Sequence, residues 1–324
     1  MSSTREKSDR PGAPEAHEPG ATTPRVDMVS FGMVVPSTLL IVDQLPQVNT
    51  GVIPNEATEY IGDDAAIVAI TLRGWGVRSG LIGTKLGNDA RGRRTAKQLR
   101  GLGLAGRHSV SSKLSTPYEV TISDRDGNRT FYWQRSPEVL STLKSADLSL
   151  MDGTRLLYVD WYDQDYILRP MEKAACNGIP VFLNFEHGHQ DPELLSRFAS
   201  HATICQAVTD EAQVGNNAAE IAQNLLDAGA SLALVTMAKD GCLAMSRKEA
   251  FRVYAPRVDV VDASAAGATF STGFIYGHLQ EWSLKEKVEF AVAAASLKCT
   301  TVGLCSFPID QILSLAAGLK SERW

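Results

Sequence analysis

The sequence has few cysteines, and its contents of aromatic and charged residues are ordinary; both observations narrow the class of protein. Aromatic residues make up 7% of the 324 residues and charged residues 21%. These ordinary values exclude collagen and a continuous coiled coil. The five cysteines include no CxxC pair; they are Cys176, Cys205, Cys242, Cys299 and Cys305. Scattered thiols are typical of a reducing compartment and not of a disulfide framework, so we expect a cytoplasmic protein.

Long apolar runs and an excess of positive charge are also lacking. No apolar run approaches the roughly 18 residues of a membrane-spanning helix, and we expect no secretion signal, because the first residues lack an apolar core. The net charge is −5, whereas binding to a nucleic acid backbone needs a basic face. The densest basic run, at 91–100, has helical spacing and predicts a solvated helix face. We therefore expect neither a membrane nor a nucleic acid as a partner.

Residues 1–25 differ in composition from the rest of the chain. They hold four of the fourteen prolines and almost no large apolar side chain. Such a segment cannot bury enough surface to offset the entropy of ordering it, so we predict a disordered tail. The remaining residues, 26–324, have the apolar patterning of one folded domain.

Apolar strands and amphipathic helices alternate through this domain. The pattern predicts strands at 26–35, 39–42, 77–82, 156–159, 180–185 and 231–237, and helices at 62–76, 89–102, 168–177, 218–228, 269–280 and 284–300. Hairpins are predicted at 118–133, around Asp126-Gly127, and at 243–253. Strands separated by helices indicate an α/β fold with a mostly parallel sheet that helices cover on both faces. Ligands in such folds bind beyond the carboxyl ends of the strands.

The most informative segment runs from 258 to 270. An apolar strand is predicted to end at Asp262, and a helix is predicted to begin near Ala268. The residues between them are small and include Ser264, Ala265, Ala266 and Gly267. Free backbone N–H groups and the positive end of the helix dipole then point at one spot, which small side chains leave open. The segment therefore predicts a site for an anion such as a phosphate.

This segment resembles the PfkB (ribokinase-like) sugar kinase family, which carries Asp-Thr-x-Gly-Ala-Gly-Asp at this place. Residues 82–92 resemble a second signature of the family, Gly-x-x-Gly-x-Asp-x-x-Gly, and weaker matches follow at 124–130, 235–241 and 297–308. The matches keep the family's order over nearly all of the predicted domain. The resemblance implies a three-layer α/β/α sandwich with a small β-sheet lid, whose strands we expect within 36–61 and 115–135.

The family resemblance also implies a chemistry. Members transfer the γ-phosphoryl group of ATP, with Mg²⁺, to a hydroxyl group of a sugar or nucleoside, and many form dimers through the lid. The resemblance assigns nucleotide or anion contacts to Asp262, to residues 264–267, and to Lys239, Asp240 and Gly241. It implies ATP and Mg²⁺ as cofactors, a small sugar-like or nucleoside-like ligand, and a homodimer.

The sequence departs from the family at its reacting groups. Ala268 stands where the family has the aspartate that takes the proton from the acceptor hydroxyl, and a methyl group cannot accept a proton. General-base assistance contributes about 10²–10⁴-fold in rate, so its loss raises the barrier by roughly 3–5 kcal/mol. Ala265 replaces the first glycine of the turn, and its Cβ disfavours a positive φ there. Glu211 keeps the acid of the family's Mg²⁺ motif, whose asparagine is missing.

The expected sugar pocket has changed as well. Ser37 stands where members hold the substrate hydroxyls with an aspartate, and Trp161 follows a central strand near the cleft. The family's Gly-Gly-x-x-x-Asn segment begins here with Gly62 and Asp63 and ends with Ile67. Because Ile67 cannot hydrogen-bond a hydroxyl group, we expect that recognition of the usual sugar is lost.

The two acidic residues after Gly62 have two interpretations. Asp63 and Asp64 lie at a predicted helix N-terminus, where the helix dipole favours them, so they can simply cap the helix. Alternatively, they face the sugar pocket, where they bind a cationic group or serve as a substitute base. Two neighbouring carboxylates can also share a proton, which raises the pKa of one of them.

A metal site is not expected from the sequence. The strongest candidates are His187 and His189, with Asp191 and Asp165 nearby. A His-x-His pair points both rings to one side only on a strand, however, and Gly188 indicates a loop. We therefore assign no metal ligands.

Three functions remain open, and the sequence does not decide whether the protein is an enzyme. The first is a pseudokinase, a divergent homologue that binds a sugar-like or nucleotide ligand, or a protein partner, with little phosphoryl transfer. The second is an active ATP-dependent carbohydrate or nucleoside kinase in which Asp63 or Asp64 replaces the lost base. The third is an enzyme of another class that reuses the cleft without ATP.

Overall fold

The computed structural model describes residues 26–124, 129–209 and 218–324. The predicted tail at 1–25 and the predicted turn at Asp126-Gly127 lie outside these ranges. The strands are β1 (Met28–Gly32), β2 (Val35–Ile41), β3 (Glu56–Gly62), β4 (Ser79–Gly83), β5 (Leu86–Gly87), β6 (Val110–Ser111), β7 (Tyr118–Ser123), β8 (Arg129–Gln134), β9 (Leu156–Asp160), β10 (Val181–Glu186), β11 (Ile204–Val208), β12 (Leu232–Thr236), β13 (Cys242–Ser246), β14 (Ala250–Val253) and β15 (Ser321–Arg323).

The helices fall between the strands, as the alternating pattern predicts. They are α1 (Asp64–Gly74), α2 (Ala90–Gly101), α3 (Pro137–Leu140), α4 (Leu168–Cys176), α5 (Pro192–Ala199), α6 (Ala218–Asp227), α7 (Ala266–Leu279), α8 (Leu284–Lys298) and α9 (Ile309–Ala316). Side chains fix several of the N-termini. Asp89 caps α2 by accepting from the Gly92 N–H, and Ser283 and Glu286 form a reciprocal capping box at the start of α8. None of the helices in the described ranges is long and apolar enough to cross a membrane.

The main sheet has nine strands in the order β15-β14-β13-β12-β11-β10-β9-β1-β4. The six strands from β12 to β4 are parallel, and the three strands from β13 to β15 continue the sheet in antiparallel fashion. Because parallel strands run in one direction, β1, β9, β10, β11 and β12 all end at the same edge. Ligands of such folds bind beyond this edge.

Helices cover both faces of the main sheet, and successive residues of a strand point to opposite faces. Leu156 and Tyr158 of β9 pack with α1, α7 and α8, whereas Leu157 and Val159 pack with α4 and α5 on the other side. All four of these side chains are fully buried. The predicted three-layer α/β/α sandwich with a mostly parallel sheet is therefore confirmed.

A separate four-stranded sheet has the order β3-β2-β7-β8. Strand β2 pairs antiparallel with β3 and parallel with β7, and the β7–β8 pair is antiparallel. One face of this sheet is buried at Leu39 of β2 and Thr121 of β7, whereas Phe131 of β8 on the same face is 39% exposed. On the opposite face Tyr132 is 59% exposed. We refer to these four strands as the lid sheet; that they act as a lid stays a prediction.

The prediction of a strand that ends at Asp262 is wrong. Residues 254–263 belong to no strand, and Val260 and Val261 are 50% and 41% exposed. The backbone N–H groups of Val261 and Asp262 both donate to the carbonyl oxygen of Cys299, at the end of α8. The apolar run therefore docks against a helix terminus instead of joining the sheet. The predicted anion-binding turn at residues 262–267, which we call the anion turn, still begins at Asp262, but no strand precedes it.

Candidate functional site

Acidic side chains gather at the carboxyl edge of the main sheet. Asp160 is the last residue of β9 and Glu186 the last residue of β10, and Asn184 lies opposite Asp160 in the β9–β10 register. Asp63 and Asp64 approach from the start of α1, and Asp163 follows β9 in a 3₁₀ turn. We call Asp63, Asp64, Asp160, Asp163 and Glu186 the acidic cluster.

Two members of the acidic cluster share one arginine as their ion-pair partner. Arg135, which directly follows β8 of the lid sheet, lies 2.9 Å from Asp63 Oδ2 and 3.6 Å from Asp163 Oδ1. The Asp163 carboxylate also accepts from the backbone N–H of Met33 at 3.2 Å. Gly32 makes this approach feasible, because a Cβ there would lie 2.4 Å from Asp163 Oδ2. The arginine thus ties the lid sheet to the start of α1 and to the turn after β9.

The other half of the acidic cluster has an amide instead of a cation. Asn184 Nδ2 lies 2.8 Å from Asp160 Oδ2, 2.9 Å from Asp64 Oδ2 and 3.4 Å from Glu186 Oε1. Each of the three carboxylates offers an oxygen that lies within 4.8 Å of the oxygens from the other two. We call Asp64, Asp160 and Glu186 the acidic trio.

Burial and mutual repulsion make the acidic trio hard to ionise fully. Burial raises the pKa of Asp64 and Asp160 well above the ordinary aspartate value. The charges of Glu186 and Asp63 raise both pKa values further, and the charge of Asp64 also raises the pKa of Asp160. Burial raises the pKa of Glu186 as well. Such shifts are typical of functional sites, because folding alone does not need crowded carboxylates.

Two members of the acidic cluster have a strained backbone. Asp63 has φ 68° and Glu186 has φ 40°, in the region that favours glycine. Asp63 still caps α1, since its side chain accepts from the Asp64 N–H at 3.1 Å. Glu186 follows an irregularity in the β10–β11 register. Both carboxylates are therefore aimed by backbone conformations that cost energy, as is common at ligand sites.

The anion turn lies at the start of α7. Its carboxylate, Asp262, is fully buried and accepts from Lys298 Nζ at 2.7 Å, Ser264 N at 2.8 Å and Gly303 N at 3.1 Å. Ala265 is the N-cap residue with φ 58°, so it takes the left-handed conformation that a glycine adopts without strain. Its side chain caps nothing, and the buried Ser264 hydroxyl has no hydrogen-bond partner within the described ranges. The start of α7 thus has the features of an anion site.

Two amides connect the anion turn to the acidic trio. Gln206 Nε2 lies 3.4 Å from the carbonyl oxygen of Gly267 and 3.4 Å from Asn184 Oδ1. Ser271 of α7 fixes Gln206 by donating to its Oε1 at 2.8 Å. Across the cleft, Arg129 of the lid sheet donates to the carbonyl oxygen of Ala263 at 3.0 Å. Sheet edge, anion turn and lid sheet therefore meet at one cleft.

Ala268 lies in the first turn of α7 and is 1% exposed. Its methyl group is buried in the apolar cluster that contains Phe270 and Phe274. The nearest acid in sequence, Asp262, is held in its ion pair with Lys298. The Asp262 carboxylate is therefore held in an ion pair and is not free to accept a proton from a ligand.

The other predicted pocket residues divide between the cleft and the core. Ser37 is buried, and its hydroxyl donates to Val35 O at 3.2 Å. Gly62 leaves room for it, because a Cβ there would lie 2.2 Å from Ser37 Oγ. Ile67 is buried in the apolar layer beneath α1. Trp161 directly follows Asp160 and packs 4.7 Å from the ring of Tyr162.

The remaining candidates do not join the acidic cluster. Lys239 and Asp240 are exposed in a 3₁₀ turn after β12. Gly241 follows with φ 87°, and a Cβ there would lie 2.0 Å from Val253 O, so both the backbone and the packing favour glycine. These residues lie two strands away from Asn184 on the same edge of the sheet. Glu211 lies outside the described residues.

The histidine pair is not brought together with the nearby acids. A ring nitrogen of His189 lies 3.2 Å from Val208 O. Asp191 caps α5, and Asp165 pairs with Arg197. Glu186, the residue before the pair, instead belongs to the acidic trio.

Sequence reasoning missed the partners of Asp63 and Asp64. Asp160 and Glu186 carry a readable signal, since each is an acid that ends an otherwise apolar central strand. Arg135 carries no such signal, because its place over the cluster depends on how the lid sheet docks. Asn184 is fully buried inside an apolar strand, which is unusual for an amide and marks a site.

Comparisons with known proteins agree with this architecture. An ATP-dependent 6-phosphofructokinase from Thermoanaerobacterium thermosaccharolyticum is 24% identical over 278 residues, which cover 79% of this chain and 85% of the relative. The structure of Arabidopsis thaliana ribokinase complexed with ribose and ATP has a TM-score of 0.68 at 20% identity, covering 90% of this chain and 99% of the other. A nucleoside kinase from Methanocaldococcus jannaschii has a TM-score of 0.71 at 17% identity, covering 90% and 99%.

A family model also matches most of the chain. Residues 28–311 match the model described as pfkB family carbohydrate kinase. The matched range begins with β1 and ends within α9, so it contains the main sheet up to β14, the lid sheet and the anion turn. The chain therefore belongs to the pfkB family of carbohydrate kinases.

Proposed function

We propose that this protein is a pseudokinase, a family member that binds a small polar ligand in its cleft and transfers phosphoryl groups poorly. The buried methyl group of Ala268 carries this proposal, because it occupies the position of the family's proton acceptor. The ion pair of Asp262 with Lys298 supports it, since it removes the neighbouring acid from consideration. Loss of the base alone costs about 10²–10⁴-fold in rate.

The ligand of this proposal is sugar-like or nucleoside-like, and its group at the sheet edge is cationic or metal-bound. The carboxylates of the acidic cluster outnumber the nearby arginines, which disfavours a free phosphate or carboxylate at the sheet edge. The anion turn at the start of α7 supports binding of a nucleotide phosphate at the other end of the cleft. ATP with Mg²⁺ is the family's cofactor pair and the first nucleotide to test.

A second candidate function is a slow kinase that uses Asp64 as its base. One observation favours it: burial and the charges of Glu186 and Asp63 raise the pKa of Asp64, which makes its carboxylate a stronger proton acceptor. The amides of Asn184 and Gln206 link Asp64 to the turn that would hold the phosphate.

The deciding experiment measures ADP formation with Mg²⁺-ATP and a mixed pool of sugars and nucleosides. We expect the parent protein to stay near background and Ala268→Asp to gain activity. Ala268→Asn is the matched control, because it adds the same volume without a proton acceptor. A parent rate in the ordinary kinase range of about 1–100 s⁻¹ would contradict the pseudokinase proposal. Loss of that rate in Asp64→Asn would then support the second candidate.

We also propose that two copies associate through the outer face of the lid sheet. Tyr132 is 59% exposed on that face, and β8 is an edge strand with unpaired backbone groups. Light scattering should give twice the chain mass of 35.0 kDa, and Tyr132→Lys should shift it to a single chain. A cytoplasmic location is likewise a proposal, supported by the five free thiols.

A further inference from the structure

A cavity of about 760 Å³ lies beside α4 and α5, on one side of the main sheet. Three aromatic residues of the 3₁₀ turn after β9 line it, namely Trp161, Tyr162 and Tyr166, and we call it the aromatic pocket. Within the described ranges, its lining includes no member of the acidic cluster or of the anion turn. Its volume lies in the range of pockets that hold small molecules.

The rings of the aromatic pocket offer flat apolar surfaces. Trp161 and Tyr162 lie side by side, with their ring centroids 4.7 Å apart and their planes at 32°. Gly188 makes room for the indole, because a Cβ there would lie 3.1 Å from the Trp161 ring. Leu194 and the buried Phe198 of α5 add apolar surface to the same lining. Such walls favour a ligand with a planar ring, which stacks or packs edge-on against aromatic side chains.

Two further features of the aromatic pocket are typical of a ligand site. The indole Nε1 of Trp161 is buried and has no hydrogen-bond partner among the residues that the structure describes. Buried indole N–H groups usually have an acceptor, so this donor is available to an acceptor atom of a ligand. Gln164, which also lines the pocket, has φ 55°, in the region that favours glycine. Backbone strain of this kind is concentrated at ligand sites.

The exposed part of the aromatic pocket has an excess of positive charge. Lys144 and Arg169 line it and are exposed, and the ion pairs within the described ranges include neither of them. Asp165, an acid in the same lining, is already paired with Arg197 at 2.6 Å. Arg169 donates to the carbonyl oxygen of Ala146, and a guanidinium group has further donors that match a carboxylate or a phosphate. The charge of the pocket therefore favours an anion.

We propose that the aromatic pocket binds a small molecule of its own, a planar aromatic ring that carries a carboxylate or phosphate group. The ring packs against Trp161 and Tyr162, and the anionic group pairs with Lys144 and Arg169. Burial of the ring between side chains supplies affinity, and the two cations select the charged form. The site needs no phosphoryl transfer in the cleft, so the proposal does not rest on the pseudokinase proposal.

The test is isothermal titration calorimetry of the full chain, without nucleotide or sugar. The probes are 2-naphthoate, 2-naphthyl phosphate and the uncharged 2-naphthamide. We expect one anionic probe to bind per chain, and the comparison of carboxylate with phosphate shows which anion the pocket prefers. The amide should bind about tenfold more weakly, because it makes neither charge pair.

Four variants locate the bound 2-naphthoate. Lys144→Gln and Arg169→Gln, both at exposed positions, should each weaken its binding about three- to fivefold. Trp161→Phe keeps a ring but removes the N–H, and should weaken binding about two- to tenfold. Lys173→Gln is the matched control, because it makes the same change in charge on α4 one turn after Arg169 and outside the lining. It should bind 2-naphthoate like the parent.

Three results would overturn the proposal. The first is a folded parent that binds neither 2-naphthoate nor 2-naphthyl phosphate. The second is equal weakening by Lys173→Gln and Arg169→Gln, because the general charge of α4 would then explain the binding. The third is weakened binding in Ala266→Glu, which adds a negative charge at the start of α7 and would place the probe at the anion turn. None of these results changes the outcome of the ADP assay, so the two proposals fail separately.

Discussion

Lys298 shows how a single residue holds the anion turn in place. Its ammonium group is fully buried and donates to Asp262 Oδ2 at 2.7 Å and to Asp262 O at 2.9 Å. We expect Lys298→Met to lower the free energy of unfolding by about 3–5 kcal/mol, because it leaves the Asp262 carboxylate buried without a cation. Denaturant unfolding at neutral pH measures the change.

Lys285→Met is the control for this prediction, since it makes the same change on the same helix. Lys285 pairs with Glu289 at 3.3 Å, and its side chain is 49% exposed. Exposed pairs of this kind contribute about 0.2–0.5 kcal/mol, so the control should change stability little. Equal losses in the two variants would contradict the structural role assigned to the buried pair.

Because of His278, in the last turn of α7, we expect the free energy of unfolding to decrease in mild acid. Burial, helped by Lys287 and Arg155, lowers its pKa to about 4 from an ordinary value of 6.5. Between these values the unfolded chain binds a proton that the folded chain does not, so stability falls as the pH drops from 6.5 towards 4. His278→Gln removes this uptake. Unfolding at pH 7 and pH 5 should show a smaller decrease for His278→Gln, and parallel decreases would refute the assignment.

Individual site residues were only partly predictable. Asp63 and Asp64 are adjacent in sequence and break a family pattern, so they attract attention without any structure. Their partners do not attract attention in this way, because the contact between Asp64 and Asn184 joins residues that are 120 positions apart in the sequence. The capping interpretation holds for Asp63, whose side chain accepts from the Asp64 N–H, whereas a role of the pair in a sugar pocket stays a prediction.

At the scale of elements, the start of α2 depends on one carboxylate. Asp89 accepts from Gly92 N at 2.8 Å, and it also accepts from Thr116 N and Thr116 Oγ1, both at 2.9 Å. We expect Asp89→Ala to lower the free energy of unfolding by about 1–2 kcal/mol, because it removes a helix cap and a loop anchor together. Asp89→Asn keeps the capping oxygen and should recover part of the loss. Thermal unfolding of both variants checks the order, and an equal loss in both would contradict it.

Elements with a strong local signal were predictable, and elements defined by distant contacts were not. The hairpin predicted at 118–133 begins at Tyr118, as β7 does, and α8 begins at Leu284 as predicted. The apolar run ending at Asp262 has the composition of a strand, yet the end of α8 captures its backbone donors. The local sequence pattern shows which secondary structures a segment can form, and contacts with neighbouring elements determine which one it adopts.

At the scale of the molecule, the regular alternation of strands and helices made the sandwich predictable. The site was not predictable to the same degree, because it lies where β9, β10, α1, α7 and the lid sheet converge. Only the strand order, which places β9 between β1 and β10, brings the acidic trio together.

The C-terminal strand β15 is expected to affect the stability and the self-association of the whole molecule. Strand β15 pairs with β14 at the edge of the main sheet, and Trp324 N donates to Ala250 O at 2.8 Å. Deleting residues 321–324 should lower the free energy of unfolding by about 2–4 kcal/mol, from a few backbone hydrogen bonds, and expose β14 as an edge that promotes self-association. Trp324→Ala, which keeps the strand, should behave like the parent in thermal unfolding and light scattering. Unchanged stability of the truncated chain would show that β15 contributes nothing.

The order of strands in the main sheet has a consequence for synthesis on the ribosome. Strand β1 pairs with β4 on one side and with β9 on the other, and each later strand of this sheet, from β10 to β15, lies beside the one before it. Growth of the sheet from β9 onward therefore follows the direction of translation. Each new strand meets a neighbour that has already emerged, which keeps the time that an unpaired edge is exposed short.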